Sequence, residues 1–258
     1  MDTPVLVDTH AHLDDSKFDR DLHRVLMNAE KAGVGRIVTV GTDIASSEKA
    51  LEIASRYEGI YAAVGLHPHD AKSFDESVMD RIRELCDDPK VVAIGETGID
   101  FFKYISPRKD QLDVFRLQVE LAVEKDLPVI VHCRKGSDEC LGVLGDFRGK
   151  VRGIAHCFSG NIQSAEGFLD LGFYISFSGT ITFANAVRLR EIAAGIPDDR
   201  LLVETDCPYL APHPRRGARN EPAHVRAVAE TLAELKETDI ETIAEITTKN
   251  ARTALLDR

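Results

Sequence analysis

Residues 106–134, SPRKDQLDVFRLQVELAVEKDLPVIVHCR, hold one complete helix-then-strand unit. Ser106 is suited to cap a helix and Pro107 to fill its first position, where a missing N–H has no partner to lose. Leu112, Phe115, Val119, Ala122 and Val123 then recur at helical spacing. Pro128 closes that pattern, and the short apolar run PVIV has the length and β-branched content of a buried strand. We read a strand over Pro128–Val131, with His132 standing where the apolar run stops.

The same unit recurs on both sides. Further strands are expected at Val5–Asp8, Arg36–Val40, Tyr61–Leu66, Val91–Gly95, Gly153–Ala155, Phe173–Phe177 and Leu201–Thr205. Helical patterns fall between and after them, at Phe18–Ala32, Ser46–Tyr57, Asp75–Cys86, Ser164–Leu171, Ala186–Ala194, Ala223–Leu235 and Asp239–Leu256. Strands alternating with helices build a parallel sheet covered by helices. Eight such strands fit a closed (β/α)8 TIM barrel of the α/β class, and no linker or composition break divides residues 1–258, so we expect a single domain. The long loop CPYLAPHPRRGARNEP after the eighth strand carries four prolines and three arginines, and such a loop at a strand's carboxyl end points to function.

Composition narrows the classes. With 43 acidic against 32 basic residues the net charge is −11, which argues against a broad basic surface that coats DNA. An enzyme acting on phosphates stays open, because bound divalent cations can reverse the sign of a site. No apolar run reaches the roughly 18 residues of a membrane span, and MDTPVLVDTHAH lacks the basic and apolar parts of a signal peptide. A cytoplasmic protein with no membrane association is expected, and nothing points to an obligatory protein partner. The five cysteines are odd in number and form no C-x-x-C pair, so reduced packing thiols are expected rather than a disulfide framework or a cysteine zinc site.

The chemistry lies at the strand ends. His10 and His12 are two apart in an extended segment and can aim both rings at one point, although an isolated pair of this kind is usually ordinary. VVAIGE adds Glu96, PVIVH adds His132, RGIAH adds His156 and LLVETD adds Asp206, each where an apolar strand stops. In a barrel those ends meet at one mouth. Four histidines with a glutamate and an aspartate suit Zn²⁺, Mn²⁺ or Mg²⁺, with carboxylates able to bridge two ions. Cys133, Cys157 and Cys207 each follow a proposed ligand, and alternation turns them toward the helix layer. Asp8 and Glu204 lie deeper and are candidates either to orient ligand histidines or to pair structurally with a neighbouring Arg or Lys. Arg134 is a candidate phosphate clamp or a rim salt bridge. His67, in GLHPH, is placed to line the mouth and bind substrate or protonate a leaving group, or is a neutral loop histidine; Arg215, Arg216 and Arg219 form a basic rim that either binds anions or is a solvated face.

Taken together, VDTHAHLD, GLHPHD, VAIGETGIDFF, PVIVHCR, GIAHCFSG and LLVETDCPYLAPHPRRGARNEP resemble the TatD family of metal-dependent deoxyribonucleases, within the amidohydrolase-like barrels. They run from residue 7 to residue 222 in the family's order. The family pattern usually has Leu where Ile99 stands and often Ser or Thr where Cys133 stands, which touches no ligand. The resemblance implies one to three divalent ions (Mg, Mn or Zn) held by His10, His12, Glu96, His132, His156 and Asp206, with Glu96 bridging. It implies a 3′ to 5′ exonuclease acting on single-stranded DNA, with RNA as a further substrate. Two ions can stabilise the attacking and leaving oxygens of a phosphodiester, and Asp206 is the natural acceptor for the proton of the attacking water. A barrel hydrolase of an ester, lactone, amide or phosphotriester is the neighbouring reading, but many of those carry a carboxylated lysine where Glu96 stands. Deacylation of aminoacyl-tRNA and a non-catalytic binding barrel complete the alternatives; a full ligand set speaks against the last.

Overall fold

The computed structural model describes residues 5–257. Its strands are β1 (Leu6–Ala11), β2 (Val34–Val40), β3 (Ile60–Val64), β4 (Val91–Asp100), β5 (Val129–Arg134), β6 (Gly153–Ala155), β7 (Tyr174–Phe177) and β8 (Leu201–Val203). They form one parallel sheet in chain order. The helices are α1 (Leu22–Lys31), α2 (Ile44–Arg56), α3 (Glu76–Leu85), α4 (Arg108–Lys125), α5 (Ser137–Gly145), α6 (Ile162–Asp170), α7 (Val187–Gly195), α8 (Val225–Leu235) and α9 (Ile240–Ala251). None of the described helices is long and apolar enough to cross a membrane.

The chain following β8 returns to β1 and brings the two ends of the sheet together. Asp206 N donates to His10 O at 2.9 Å and His12 N donates to Cys207 O at 2.7 Å. Below them Asp8 accepts the Thr205 backbone N–H at 2.9 Å and the Thr205 hydroxyl. The seam that joins the barrel therefore places three of the expected ligands in register.

Two apolar layers follow from strand alternation. Val38, Val40, Val92, Ile130, Ile154 and Leu202 fill the barrel, and Ala254 and Leu255 after α9 pack against that cluster. The opposite strand faces, with Val129, Val131, Ile175 and Val203, pack under helix residues such as Phe115, Val119 and Phe168. Each large side chain buried this way contributes about 1.5–3 kcal/mol.

The pattern read from sequence holds for all eight strands, with corrections at their ends. β1 continues to Ala11 and β8 stops at Val203. β4 runs five residues past Gly95, because glycines let it bulge where they would otherwise end it. Its pairing shifts between Ile94 and Thr97, and Gly95 and Gly98 take φ of +147° and +136°. A Cβ at Gly98 would lie 2.1 Å from the His132 carbonyl oxygen, so only glycine permits this approach. Helix α5 is absent from the sequence reading: it is short, and Gly142 and Gly145 dilute its apolar signal. α1 begins at Leu22, after a single 3-10 turn at Ser16–Phe18. Ser106 is not the α4 cap; its hydroxyl donates to His69 O at 2.6 Å and accepts from Lys72 N at 3.1 Å, tying down the loop after β3.

Candidate metal centre

His132, His156 and Asp206 share the parity of the barrel-filling residues Ile130, Ile154 and Leu202, so simple alternation brings them to the mouth. His10 and His12 do not share the parity of Val7, and the irregular pairing of β1 between Asp8 and Ala11 turns them inward. Ile94 packs in the outer layer, and the pairing shift after it turns Glu96 inward. Asp206 sits at φ +57°, a left-handed conformation that Asp tolerates better than most residues.

Five of these six residues line the floor of a mouth cavity of about 710 Å³, and His10 lies fully buried against them. His10 Nε2 lies 3.3 Å from His12 Nε2, 3.5 Å from Glu96 Oε2 and 3.8 Å from Asp206 Oδ1. His12 Nε2 lies 3.7 Å from Glu96 Oε2 and 3.4 Å from Asp206 Oδ1. Glu96 Oε1 turns to a second group: His132 Nδ1 at 2.6 Å, His156 Nε2 at 2.8 Å and His67 Nε2 at 3.5 Å. One carboxylate thus presents each oxygen to a different set of imidazoles.

The donor set fits divalent cations. Ligands about 2.1 Å from an ion stand roughly 3.4 Å apart in a tetrahedral arrangement, and the separations around Glu96 Oε2 span 3.3 to 3.8 Å. The outer ring nitrogens of three histidines are already committed. His12 Nδ1 donates to Val40 O at 2.9 Å, His156 Nδ1 faces Glu204 Oε1 at 3.2 Å, and His132 Nε2 faces Asp100 Oδ2 at 3.2 Å. That leaves each inner nitrogen to bind an ion, as metal-ligating histidines require. Glu204 therefore orients His156, and it also accepts the Cys157 N–H at 2.8 Å. Asp8 instead fastens the seam and touches His10 only through its backbone N–H, at 3.3 Å. His10 Nδ1 and Glu204 Oε2 have no hydrogen-bond partner among the described residues.

Electrostatics point the same way. Burial would raise Glu96, but the surrounding imidazoles hold it well below the usual carboxylate range; burial would raise Asp206 too, but the hydrogen bond from His12 lowers it. Burial would depress His12, yet the hydrogen bond to Asp206 and the nearby carboxylates push it up to about 9. His156 is raised well above its ordinary value against its own burial by Glu96 and Glu204, and His132 rises against burial through Asp100 and Glu96. Buried carboxylates draw protons onto these rings, a charge that divalent ions would supply instead. Burial keeps His10 and His67 neutral. His67 Nδ1 accepts the His69 N–H at 3.1 Å, so its Nε2 carries the hydrogen and points into the mouth as a donor.

Arg134 reaches the mouth and lies over the Phe102 ring at 4.0 Å. The arginines of the proline-rich loop do not reach it. Arg219 is spent on Asp21, Glu221 and Lys17 O, Arg216 lies over the Phe183 ring at 4.6 Å, and Arg215 borders a separate hollow beside His224. Cys207 is buried in the outer layer as expected, and Cys133 packs against that layer while also bordering the mouth; Cys157 borders the mouth. Cys157 stands in a left-handed turn past β6, at φ +43°, where strand alternation no longer applies. Sequence reasoning missed Asp100, which is buried, receives His69 Nε2 at 3.0 Å as well as His132, and is held well below the carboxylate range by them against its burial. It also missed Asp14 and Tyr209 at the rim; the Tyr209 hydroxyl donates to Asp15 at 2.9 Å.

Comparisons with known proteins find metal-dependent hydrolases. The model of the family described as TatD related DNase matches residues 7–256. A metal-dependent hydrolase of uncharacterised activity from Bacillus subtilis, YabD, is 47% identical, covering 96% of this chain and 98% of its own. The 3′-5′ ssDNA/RNA exonuclease TatD of Klebsiella pneumoniae is 36% identical, covering 96% and 97%. Among solved structures, the Escherichia coli TatD homologue YjjV superposes with a TM-score of 0.92 at 33% identity, covering 97% of both chains.

Proposed function

The chain belongs to the TatD-related DNase family of metal-dependent hydrolases, and on that premise we propose that it removes nucleotides one at a time from the 3′ end of single-stranded DNA, with RNA as a second substrate. The observation that carries this reading is Glu96, whose two oxygens face two separate imidazole groups. That arrangement suits the paired cations used in phosphodiester displacement. Divalent ions held by His10, His12, Glu96, His132, His156 and Asp206 would supply electrophilic stabilisation of the phosphoryl oxygens and ease proton loss from water.

The protein's own groups do the rest. Asp206 stays ionised and is open enough to the mouth to accept the proton of the attacking water. Neutral His67 donates its Nε2–H to a phosphate oxygen and orients it; transferring that proton would leave an imidazolate, so it acts as a donor only. Arg134 holds the neighbouring phosphate. Water's oxygen bonds to phosphorus, the bond from phosphorus to the 3′-oxygen breaks, and solvent in the open mouth protonates that oxygen. The name of the Klebsiella relative supports the substrate and polarity.

The test is to incubate metal-loaded protein and its Glu96→Ala variant with 3′-labelled and 5′-labelled single-stranded oligonucleotides. Mononucleotide release from the 3′ end, lost in the variant, is expected. Absence of cleavage with Mg²⁺, Mn²⁺ and Zn²⁺ would overturn the nuclease reading and move the substrate to an ester, lactone, amide or aminoacyl-tRNA.

A further inference from the structure

A second hollow of about 1100 Å³ opens directly from the mouth. Cys133, Arg134, Ser159 and Thr180 border both, so the two are continuous. The groove runs between Phe102, in the loop after β4, and Phe183, before α7. Its walls carry aromatic and aliphatic surface that solvent would normally disfavour: Phe102 is 59% exposed, Val187 58% and Ile162 42%. Both phenylalanine rings are backed by a guanidinium, from Arg134 at 4.0 Å and Arg216 at 4.6 Å.

Charge in the groove runs against that of the molecule. Arg134, Lys135 and Arg188 line it against the single carboxylate of Glu191, in a chain of net charge −11. Those three cations and Arg216 make no ion pair among the described residues. Cations left unpaired next to exposed rings are the ingredients of single-strand binding, in which bases stack on aromatic faces and cations track the phosphates. A ligand cleft of roughly 300–1,000 Å³ holds one drug-sized molecule; the mouth takes the terminal nucleotide, and the groove adds room for more than one further residue.

Resting on the exonuclease reading above, we propose that this groove holds the nucleotides on the 5′ side of the scissile phosphate, with Phe102 and Phe183 as base-stacking platforms and Arg188 and Lys135 on the backbone. The groove makes a longer strand a better substrate than a dinucleotide.

The test compares kcat/KM for a dinucleotide and a 12-mer of single-stranded DNA, using wild type, a Phe102→Ala/Phe183→Ala double variant, and Met27→Ala, an exposed apolar residue on α1 outside the groove. The ratio of 12-mer to dinucleotide should fall at least about fivefold in the double variant, the lower bound for losing one stack. It should be unchanged in Met27→Ala. In Arg188→Ala the logarithmic salt dependence of 12-mer binding should flatten by about 0.7. Cleavage with an unaltered length ratio and salt slope would overturn the groove alone. No cleavage of either length by metal-loaded wild type would overturn the nuclease reading and the groove with it.

Discussion

Raising the pH should tighten divalent-ion binding steeply. In the ion-free protein His12 and His156 are buried, which alone would strip their protons, but Asp206, Glu96 and Glu204 surround them and push His12 up to about 9 and His156 well above its ordinary value. An ion needs the bare Nε2 of each ring, so loading expels protons. Each expelled proton strengthens apparent association tenfold per pH unit, up to the pKa of its group. From pH 7 to the His12 value of about 9 is two units, which makes His12 alone weaken ion binding at pH 7 by about 100-fold, or about 2.7 kcal/mol. At the other oxygen of Glu96, His156 and His132 are raised as well and add protons of the same sign, whereas His10 and His67 are already neutral and add none. The plot of the logarithm of the overall association constant for both Mn²⁺ ions against pH should therefore rise with a slope of at least two just above neutrality. Competition with a chromophoric chelator gives the slope, and calorimetry in two buffers of different ionisation enthalpy gives the proton count. A slope near zero with no proton release would mean that the rings are neutral before the ion arrives, and the charging by buried carboxylates would be refuted.

Other outcomes follow from single contacts. Glu204→Gln keeps the shape beside His156 but removes the charge that orients it, and should weaken ion affinity or activity by about 10- to 100-fold with an unchanged circular-dichroism spectrum. Gly98→Ala forces a Cβ against the His132 carbonyl at φ +136° and should cost about 2–5 kcal/mol in chemical denaturation, from backbone strain and overpacking together. Thr205→Val leaves buried Asp8 without its hydroxyl donor and should cost about 1–3 kcal/mol, read in the same way; a change within error would remove Asp8 from the seam.

The strands and the six candidate ligands are legible in sequence for one reason. A buried parallel strand is a short apolar run, and a histidine or carboxylate at the end of such a run has little cause to stand there except to face a site. The order PVIVH, RGIAH and LLVETD carries that signal without any three-dimensional information. Asp100 escaped because the apolar run stops at Gly95, while the strand continues through a bulge that only backbone geometry reveals. Ser106 and Arg219 escaped for the opposite reason: their residue types suit a cap and an anion site, but tertiary partners, His69 O for one and Asp21 with Glu221 for the other, claim them first. The groove beside the mouth depends on residues that follow four different strands, β4 to β7, and no local pattern joins them.

The central claim is that Glu96 divides its two oxygens between two cations. Diffraction from crystals soaked in Mn²⁺, recorded with anomalous scattering, tests it directly. Two anomalous peaks are predicted, one shared by Glu96 with His10, His12 and Asp206, the other shared by Glu96 with His132 and His156. Full occupancy elsewhere, with no peak in reach of either Glu96 oxygen, would contradict the account.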